Sequence, residues 1–300
     1  MMPGELLALA AAAGFGITHF TAGLLARRAP GVTVALHTQL GGTAIAVAAA
    51  LLWTSGSPRA ADLAWGALSG AGSGIGVAFL YRAMGRGSLS VVVPLSDIGT
   101  VAIPVLVGLA VLGDRPSPLG AAGIALTIPA IWLAAAGPAP PPAGPRTTPP
   151  RHAGAHHRTG RLRPAPGVTD ALLAGTGFAV QYLALKPVPL DAGLWPIAAS
   201  RAASVAVTLP WALAAAGVPL RLPARQALPA LAVGTVGSTA VLLYWIAAHR
   251  ELLAVATVLA ALYPVIPVVL ALVFLRERLT RRQILGLCGA GAAIALLTVP

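Results

Sequence analysis

The sequence is poor in charge. Only 9% of its 300 residues are Asp, Glu, Lys or Arg, whereas 57% are hydrophobic, and a water-soluble domain usually carries about a quarter charged residues. A soluble fold would therefore leave too much apolar surface in water. The chain has one cysteine, Cys288, so no disulfide can form within it.

The sequence also lacks the common catalytic strings. It contains no HExxH, GxSxG or GxxxxGK[ST], the motifs of zinc peptidases, serine hydrolases and phosphate-binding loops. We therefore predict that the protein is not an enzyme, that it uses no cofactor or resident metal ion, and that ATP does not drive it directly.

Apolar residues occur instead in long blocks, separated by short clusters of Arg, Pro, Gly and Asp. A helix needs roughly 20 apolar residues to cross a bilayer, and the blocks lack the alternation of a membrane barrel strand. This predicts an all-α polytopic membrane protein with ten transmembrane helices. The blocks are 5–26, 32–53, 62–81, 88–112, 118–136, 168–186, 193–215, 226–248, 252–275 and 281–299.

The two halves of the chain align with each other without a gap. Each copy holds five predicted helices, and an odd number makes the second copy enter the membrane from the opposite side. We predict a first five-helix repeat in 1–136, a linker in 137–166 and a second, inverted repeat in 167–300. The repeat alignment places Gly14 on Gly177, Phe15 on Phe178, Tyr81 on Tyr244, Pro104 on Pro267, and Asp114-Arg115 on Glu277-Arg278.

Basic residues are shared unequally between the predicted loops. Loops after odd-numbered helices hold fifteen Lys or Arg, and the other four loops hold only Arg59, Arg115, Lys186 and Arg250. Because basic residues mark the cytoplasmic side, we expect the odd-numbered loops and the linker in the cytoplasm and both termini outside, in a bacterial inner (plasma) membrane. The net charge of +12 indicates no nucleic-acid partner, since it is spread over many loops.

The linker 137–166 is rich in Pro, Gly, Arg and His. Such a composition is typical of a disordered tether. His152, His156 and His157 could bind a metal ion, but their spacing implies no ligand geometry, and we favour a solvated linker.

Four features recur in both copies: an aromatic residue at the end of the third helix, a proline in the fourth, an acid before the fifth, and a glycine nine positions further on. They are Tyr81, Pro104, Asp114 and Gly123, then Tyr244, Pro267, Glu277 and Gly286. The doubled set resembles the two EamA-type domains of the drug/metabolite transporter superfamily. The first copy departs from the family pattern by having Asp114 in place of the usual Glu, followed by Pro116.

The resemblance implies a ten-helix carrier that binds its substrate between the two halves. We therefore expect a secondary transporter, and more specifically an exporter, of small polar metabolites or amino-acid-like compounds, working by alternating access. Protons are a candidate coupling ion, and the protein is expected as a monomer or a homodimer. The alternatives are a multidrug or toxic-compound efflux carrier, or a channel.

Two ionisable residues lie deep within apolar blocks. Asp97 lies in the fourth block and Arg201 in the seventh, at depths of about 13 and 12 Å from opposite faces. In a hydrocarbon core about 30 Å thick, both lie near the midplane. They could pair and lock the halves together, or face a cavity, where Arg201 would bind a carboxylate and Asp97 an amino group or a coupling proton. The second arrangement favours a zwitterionic substrate.

Five further polar residues interrupt apolar blocks: His19, His37, Gln39, Gln181 and Tyr182. Each could line the cavity or make an interhelical hydrogen bond. His19 and Tyr182 are equivalent in the repeat alignment, which favours a position near the central axis for both.

Prolines interrupt the fourth and ninth blocks at Pro94, Pro104, Pro264 and Pro267. They remove backbone donors in mid-membrane and predict kinks. Matched breaks in two repeats indicate a transport site or hinge, although the kinks could be purely structural.

Glycines recur at every fourth position in the third block, at Gly66, Gly70 and Gly74. This spacing predicts close packing against another helix, with homodimerisation through the same face as an alternative. In the loops, Asp114 and Glu277 are expected to complement the dipole of the helix that follows each of them, with gating as the alternative.

Overall fold

The computed structural model describes residues 3–26, 28–52, 56–84, 89–135, 168–215, 217–263, 265–266 and 281–298. Within these ranges the chain forms helices and no strand, which confirms the all-α class. The helices are α1 Gly4–Ala26, α2 Gly31–Leu52, α3 Ala60–Met84, α4 Leu89–Ala110, α5 Pro118–Ala135, α6 Val168–Leu185, α7 Trp195–Ala214, α8 Ala224–Arg250, α9 Leu253–Ala260 and α10 Arg281–Thr298, with a short 3-10 helix at Leu190–Ala192.

The helices follow the predicted apolar blocks, and α9 differs most, because its regular helix ends at Ala260. Five described segments are long and apolar enough to cross a membrane, which supports a multi-pass membrane protein; ten spans remain a prediction. The five are Gly4–Ala22, Gly31–Leu52, Ala60–Leu80, Trp195–Ala214 and Ala224–Arg250, and the shorter apolar stretches are Gly99–Ala110, Pro118–Ala130 and Ile284–Ala293.

Several predicted features lie outside the described residues. They are the linker with its three histidines, Pro264, Pro267 and Glu277. Pro94 and Pro104 both fall within α4, which is helical throughout from Leu89 to Ala110. The hinge role of the four prolines stays a prediction.

Helices of the first half pack mainly against helices of the second half. In the repeat alignment α1, α2 and α3 are equivalent to α6, α7 and α8. The contact of α1 with α8 therefore corresponds to that of α6 with α3, and the contact of α2 with α8 corresponds to that of α7 with α3. The pairs α2 and α7, α4 and α9, and α5 and α10 also meet. Two inverted copies related by a pseudo-two-fold axis would produce this pattern.

The glycine face of α3 packs directly on the backbone of α7. A Cβ on Gly66, Gly70 or Gly74 would meet Pro196, Ser200 or Ser204 respectively, in each case at a carbonyl oxygen. The predicted close packing is therefore confirmed. Homodimerisation through this face is wrong, because α7 of the same chain covers it.

One end of the bundle collects the even-numbered loops and the start of the chain. Gly4 lies against the side chain of Glu251, and Gly56 lies against the backbone of Gly193. Lys186 Nζ donates a hydrogen bond to the carbonyl oxygen of Ala248 at the end of α8. Partial burial lowers the pKa of Lys186, and the carboxylate of Asp114 partly opposes this.

Asp114 bonds to the other half of the chain. Its Oδ2 accepts a hydrogen bond from the backbone N–H of Ala254, 2.9 Å away, in the first turn of α9. The helix that follows Asp114, α5, has its own cap, because Ser117 Oγ accepts the N–H of Gly120 at 3.1 Å and Pro118 opens the helix. The expectation that Asp114 complements the following helix is therefore wrong: the helix it caps is α9.

We expect Asp114→Ala to destabilise the protein by about 0.5–2 kcal/mol, the usual cost of losing a helix cap. Asp114→Asn keeps an oxygen acceptor at the same place and should lose less than half as much. Thermal unfolding of the purified variants in detergent measures the difference. Equal losses in the two variants would show that the charge, and not the hydrogen bond, matters.

Candidate functional site

A cavity with both polar and apolar lining residues lies where the two halves meet. Its volume is about 100 Å³, well above the roughly 10–15 Å³ that a cavity needs to hold a single water. A solute of that size is a small metabolite. The walls come from α1, α2, α3, α4, α6, α7, α8 and the turn after α9, and the polar lining residues are Thr18, His19, Thr38, Gln39, Ser73, Thr100, Gln181, Tyr182, Arg201, Ser238 and Tyr263.

Repeat-equivalent residues line the cavity together. Beside His19 and Tyr182, the pairs Phe15 and Phe178, Thr18 and Gln181, Thr38 and Arg201, and Thr100 and Tyr263 all belong to its wall. The wall is thus built from equivalent positions of the two halves. The positive charge of Arg201 has no counterpart in the first half, because the equivalent residue there is Thr38.

Arg201 is 5% exposed and lies on α7, among a stripe of buried polar residues that includes Ser200 and Ser204. Its Nη2 donates to Ser200 Oγ at 3.3 Å, and Ser200 Oγ donates to Ser69 Oγ on α3 at 3.3 Å. Its Nε has no hydrogen-bond partner. The guanidinium therefore keeps unused donor capacity at the cavity.

Asp97 is fully buried on α4 but does not line the cavity. Its Oδ1 accepts a hydrogen bond from the hydroxyl of Tyr263, and its Oδ2 has no partner. Within the described part of the chain, Asp97 and Arg201 form no ion pair. The wall residue Tyr263 therefore lies between Asp97 and any solute.

An aromatic cluster forms the rest of the wall. The rings of His19 and Tyr263 are stacked with centroids 4.8 Å apart, and Tyr182 is stacked on Tyr244 at 4.2 Å. Phe15 touches both Tyr182 and Tyr263. His19 Nδ1 is bound to the carbonyl oxygen of Phe15 at 2.7 Å.

The structure brings most of the predicted site residues together. Arg201, His19, Tyr182, Gln181 and Gln39 line the cavity. Asp97 is adjacent through Tyr263. His37 does not line it; its Nδ1 is bound to the carbonyl oxygen of Thr33 at 2.9 Å.

Sequence reasoning missed several lining residues. Thr18 and Thr38 are the repeat equivalents of Gln181 and Arg201, so applying the repeat alignment to those predictions would have found them. Tyr263 and Thr100 are also equivalent, but neither interrupts an apolar block strongly enough to stand out.

These features define a class of protein: an all-helical, multi-pass membrane protein with a small cavity between its halves whose lining includes a buried arginine. Residues 165–299 match the model of the EamA-like transporter family, which confirms the resemblance for the second copy. The second half of the chain therefore carries an EamA-like domain, and the proteins of that family are membrane transporters of the drug/metabolite superfamily. The family is one of transporters and not of enzymes.

The solved structures add a likeness of fold. One crystal structure shares 17% identity with the chain and superposes with a TM-score of 0.68, covering 98% of this chain and 95% of that one. No curated protein matches the chain.

Proposed function

We propose that the protein is a secondary carrier that moves small polar metabolites across a bacterial inner membrane by alternating access, in the direction of export. The observation that carries the proposal is the cavity itself, whose wall is made of equivalent residues from both halves. A rocking of one half against the other would expose such a cavity to each side in turn.

The contacts of the described residues favour a carrier over a channel. The even-numbered loops meet at one end of the bundle. There Lys186 donates a hydrogen bond to the end of α8, and Asp114 accepts one from the first turn of α9. A channel needs a continuous path, whereas a carrier needs a closed end on one side of its site. The proposed orientation places this end outside, since its loops hold few basic residues.

The small volume of the cavity argues against the multidrug alternative. Pockets for drug-sized ligands usually measure about 300–1,000 Å³, and this one measures about 100 Å³. The proposal therefore favours metabolites over bulky toxic compounds.

Counterflow in proteoliposomes tests the carrier proposal. Vesicles are loaded with a high concentration of one unlabelled metabolite, and uptake of the same compound in labelled form is followed. A carrier gives saturable uptake with a transient overshoot above equilibrium. Linear uptake without an overshoot would establish a channel instead, and empty vesicles and vesicles with heat-denatured protein serve as controls.

We further propose that Asp97 takes up the coupling proton. Asp97→Asn should then remove the dependence of transport on an imposed pH gradient, because the amide cannot be protonated in this range. Tyr263→Phe loses the hydrogen bond to Asp97 but keeps its carboxyl group, so transport should remain dependent on pH. If Asp97→Asn transports with an unchanged pH dependence, Asp97 is not the coupling group.

A further inference from the structure

The cavity holds one full positive charge and no acid. Among its lining residues, all in the described part of the chain, Arg201 is the only Lys or Arg, and none is Asp or Glu. The one carboxylate near this wall, that of Asp97, bonds to Tyr263 instead. This differs from the arrangement expected for a zwitterionic substrate, which needs an acid and a base in the same cavity.

A buried guanidinium without a counter-charge is costly, because it loses hydration and gains no ion pair. Arg201 is 5% exposed, and its single hydrogen bond goes to a neutral serine hydroxyl. Ionisable residues within transmembrane segments are rare, and those that face a cavity mark substrate or ion pathways.

A second unused donor lies close to the first. Gln39 on α2 is 7% exposed and lines the same cavity, and its Nε2 has no hydrogen-bond partner. Gly42 follows Gln39 by one helical turn, so the two share a face of α2. A Cβ built on Gly42 would lie 3.6 Å from Cδ of Arg201. The stem of Arg201 therefore passes the face of α2 that carries Gln39.

We infer that Arg201 and Gln39 form the binding site for the carboxylate of a small organic acid, so that the transported substrate is a monoanion and not a zwitterion. One guanidinium balances one negative charge. A phosphate ester carries about −1.5 to −2 at pH 7 and would stay undercompensated here. The aromatic cluster of Phe15, Tyr182 and Tyr263 would face the apolar part of the acid.

The inference rests on the proposed carrier function, but it can be tested by binding alone. Thermal unfolding of the purified protein is measured with rising concentrations of acetate, lactate and benzoate, each against its neutral amide, and with alanine as a zwitterion. A ligand of the folded state raises Tm with concentration. We expect at least one carboxylate to raise Tm more than its amide does, and alanine to have no such effect.

Variants assign the effect to the site. The difference in Tm between acid and amide should vanish in Arg201→Gln. In Gln39→Leu the apparent affinity for the acid should fall about tenfold. In Arg221→Gln, which removes an exposed arginine outside the cavity, the difference in Tm should persist. Gln39→Leu keeps the test valid if Arg201→Gln does not fold. The inference is overturned if amides stabilise as well as acids, if no carboxylate acts, or if the difference survives in Arg201→Gln and Gln39→Leu.

Transport separates this inference from the carrier proposal. Counterflow of a neutral or zwitterionic compound that survives Arg201→Gln would overturn the anion site and leave the carrier standing. Carboxylate binding without any flux would overturn the carrier and leave the anion site standing.

Discussion

Arg201→Gln is expected to reduce transport by roughly 30-fold to several thousand-fold. Truncating one partner of a buried, hydrogen-bonded charge pair costs about 2–5 kcal/mol, and about 1.4 kcal/mol is tenfold in affinity. Without bound substrate, the variant should be at least as stable as the native protein. Because Arg201 has no acidic partner among the described residues, removing its charge should leave Tm unchanged or raise it.

Initial transport rates and thermal unfolding of the same preparations measure both effects. Arg221→Gln is the matched control, and it should change neither quantity. A fall in Tm together with unchanged transport in Arg201→Gln would mean that the arginine stabilises the fold and does not bind substrate.

Gly70→Leu is expected to prevent the protein from folding. A Cβ at this position would collide with the carbonyl oxygen of Ser200, which is backbone and cannot rotate away. Overpacking usually costs about 1–3 kcal/mol and occasionally more. Here α3 and α7 would have to separate, so we expect a loss of about 3 kcal/mol or more.

The yield of monodisperse protein in size-exclusion chromatography measures this effect. Gly291→Leu is the matched control, because nothing lies within 4 Å of a Cβ at Gly291 on α10. It should fold normally and gain slightly from the better helix propensity of leucine. A normal yield of Gly70→Leu would contradict the close approach of α3 and α7.

Most of the fold could be predicted because the bilayer fixes the length of a spanning helix. The apolar blocks 32–53 and 118–136 became α2 Gly31–Leu52 and α5 Pro118–Ala135. The glycines of α3 also had a local signal, since only small residues let two helices approach closely.

The ninth block shows where length and composition fail. Pro264 and Pro267 predict a kink within the apolar block 252–275, but the regular helix already ends at Ala260. Residues 261–263 form a turn, in which the N–H of Leu262 bonds to Leu259, and the N–H of Ile266 in the helical residues 265–266 bonds to Tyr263. No glycine precedes the break. The turns place Tyr263 against Asp97, a contact that depth along the membrane normal cannot reveal.

The candidate site could be predicted in part. Counting residues along a helix gives the depth of Asp97 and Arg201, which is why both were singled out. It does not give the direction in which each side chain points. That direction depends on how α4 and α7 are rotated in the bundle, so Arg201 faces the cavity while Asp97 faces Tyr263.

Asp114 illustrates a second limit. An acid near the start of a helix suggests a dipole contact with that helix, but Ser117 already caps α5. The true partner, Ala254, is far away in sequence, in the other half of the chain. Long-range pairs of this kind depend on how the two halves assemble.

Access to a single cysteine in the cavity reports whether the cavity opens alternately to the two sides of the membrane. Ser238→Cys is made in a Cys288→Ser background, which removes the native cysteine, because Ser238 is buried and lines the cavity. A membrane-impermeant maleimide is applied from each side of sealed vesicles. We predict labelling from both sides, slowed by a transported carboxylate. Labelling from one side only, or equal labelling with and without every carboxylate, would contradict alternating access to a carboxylate site.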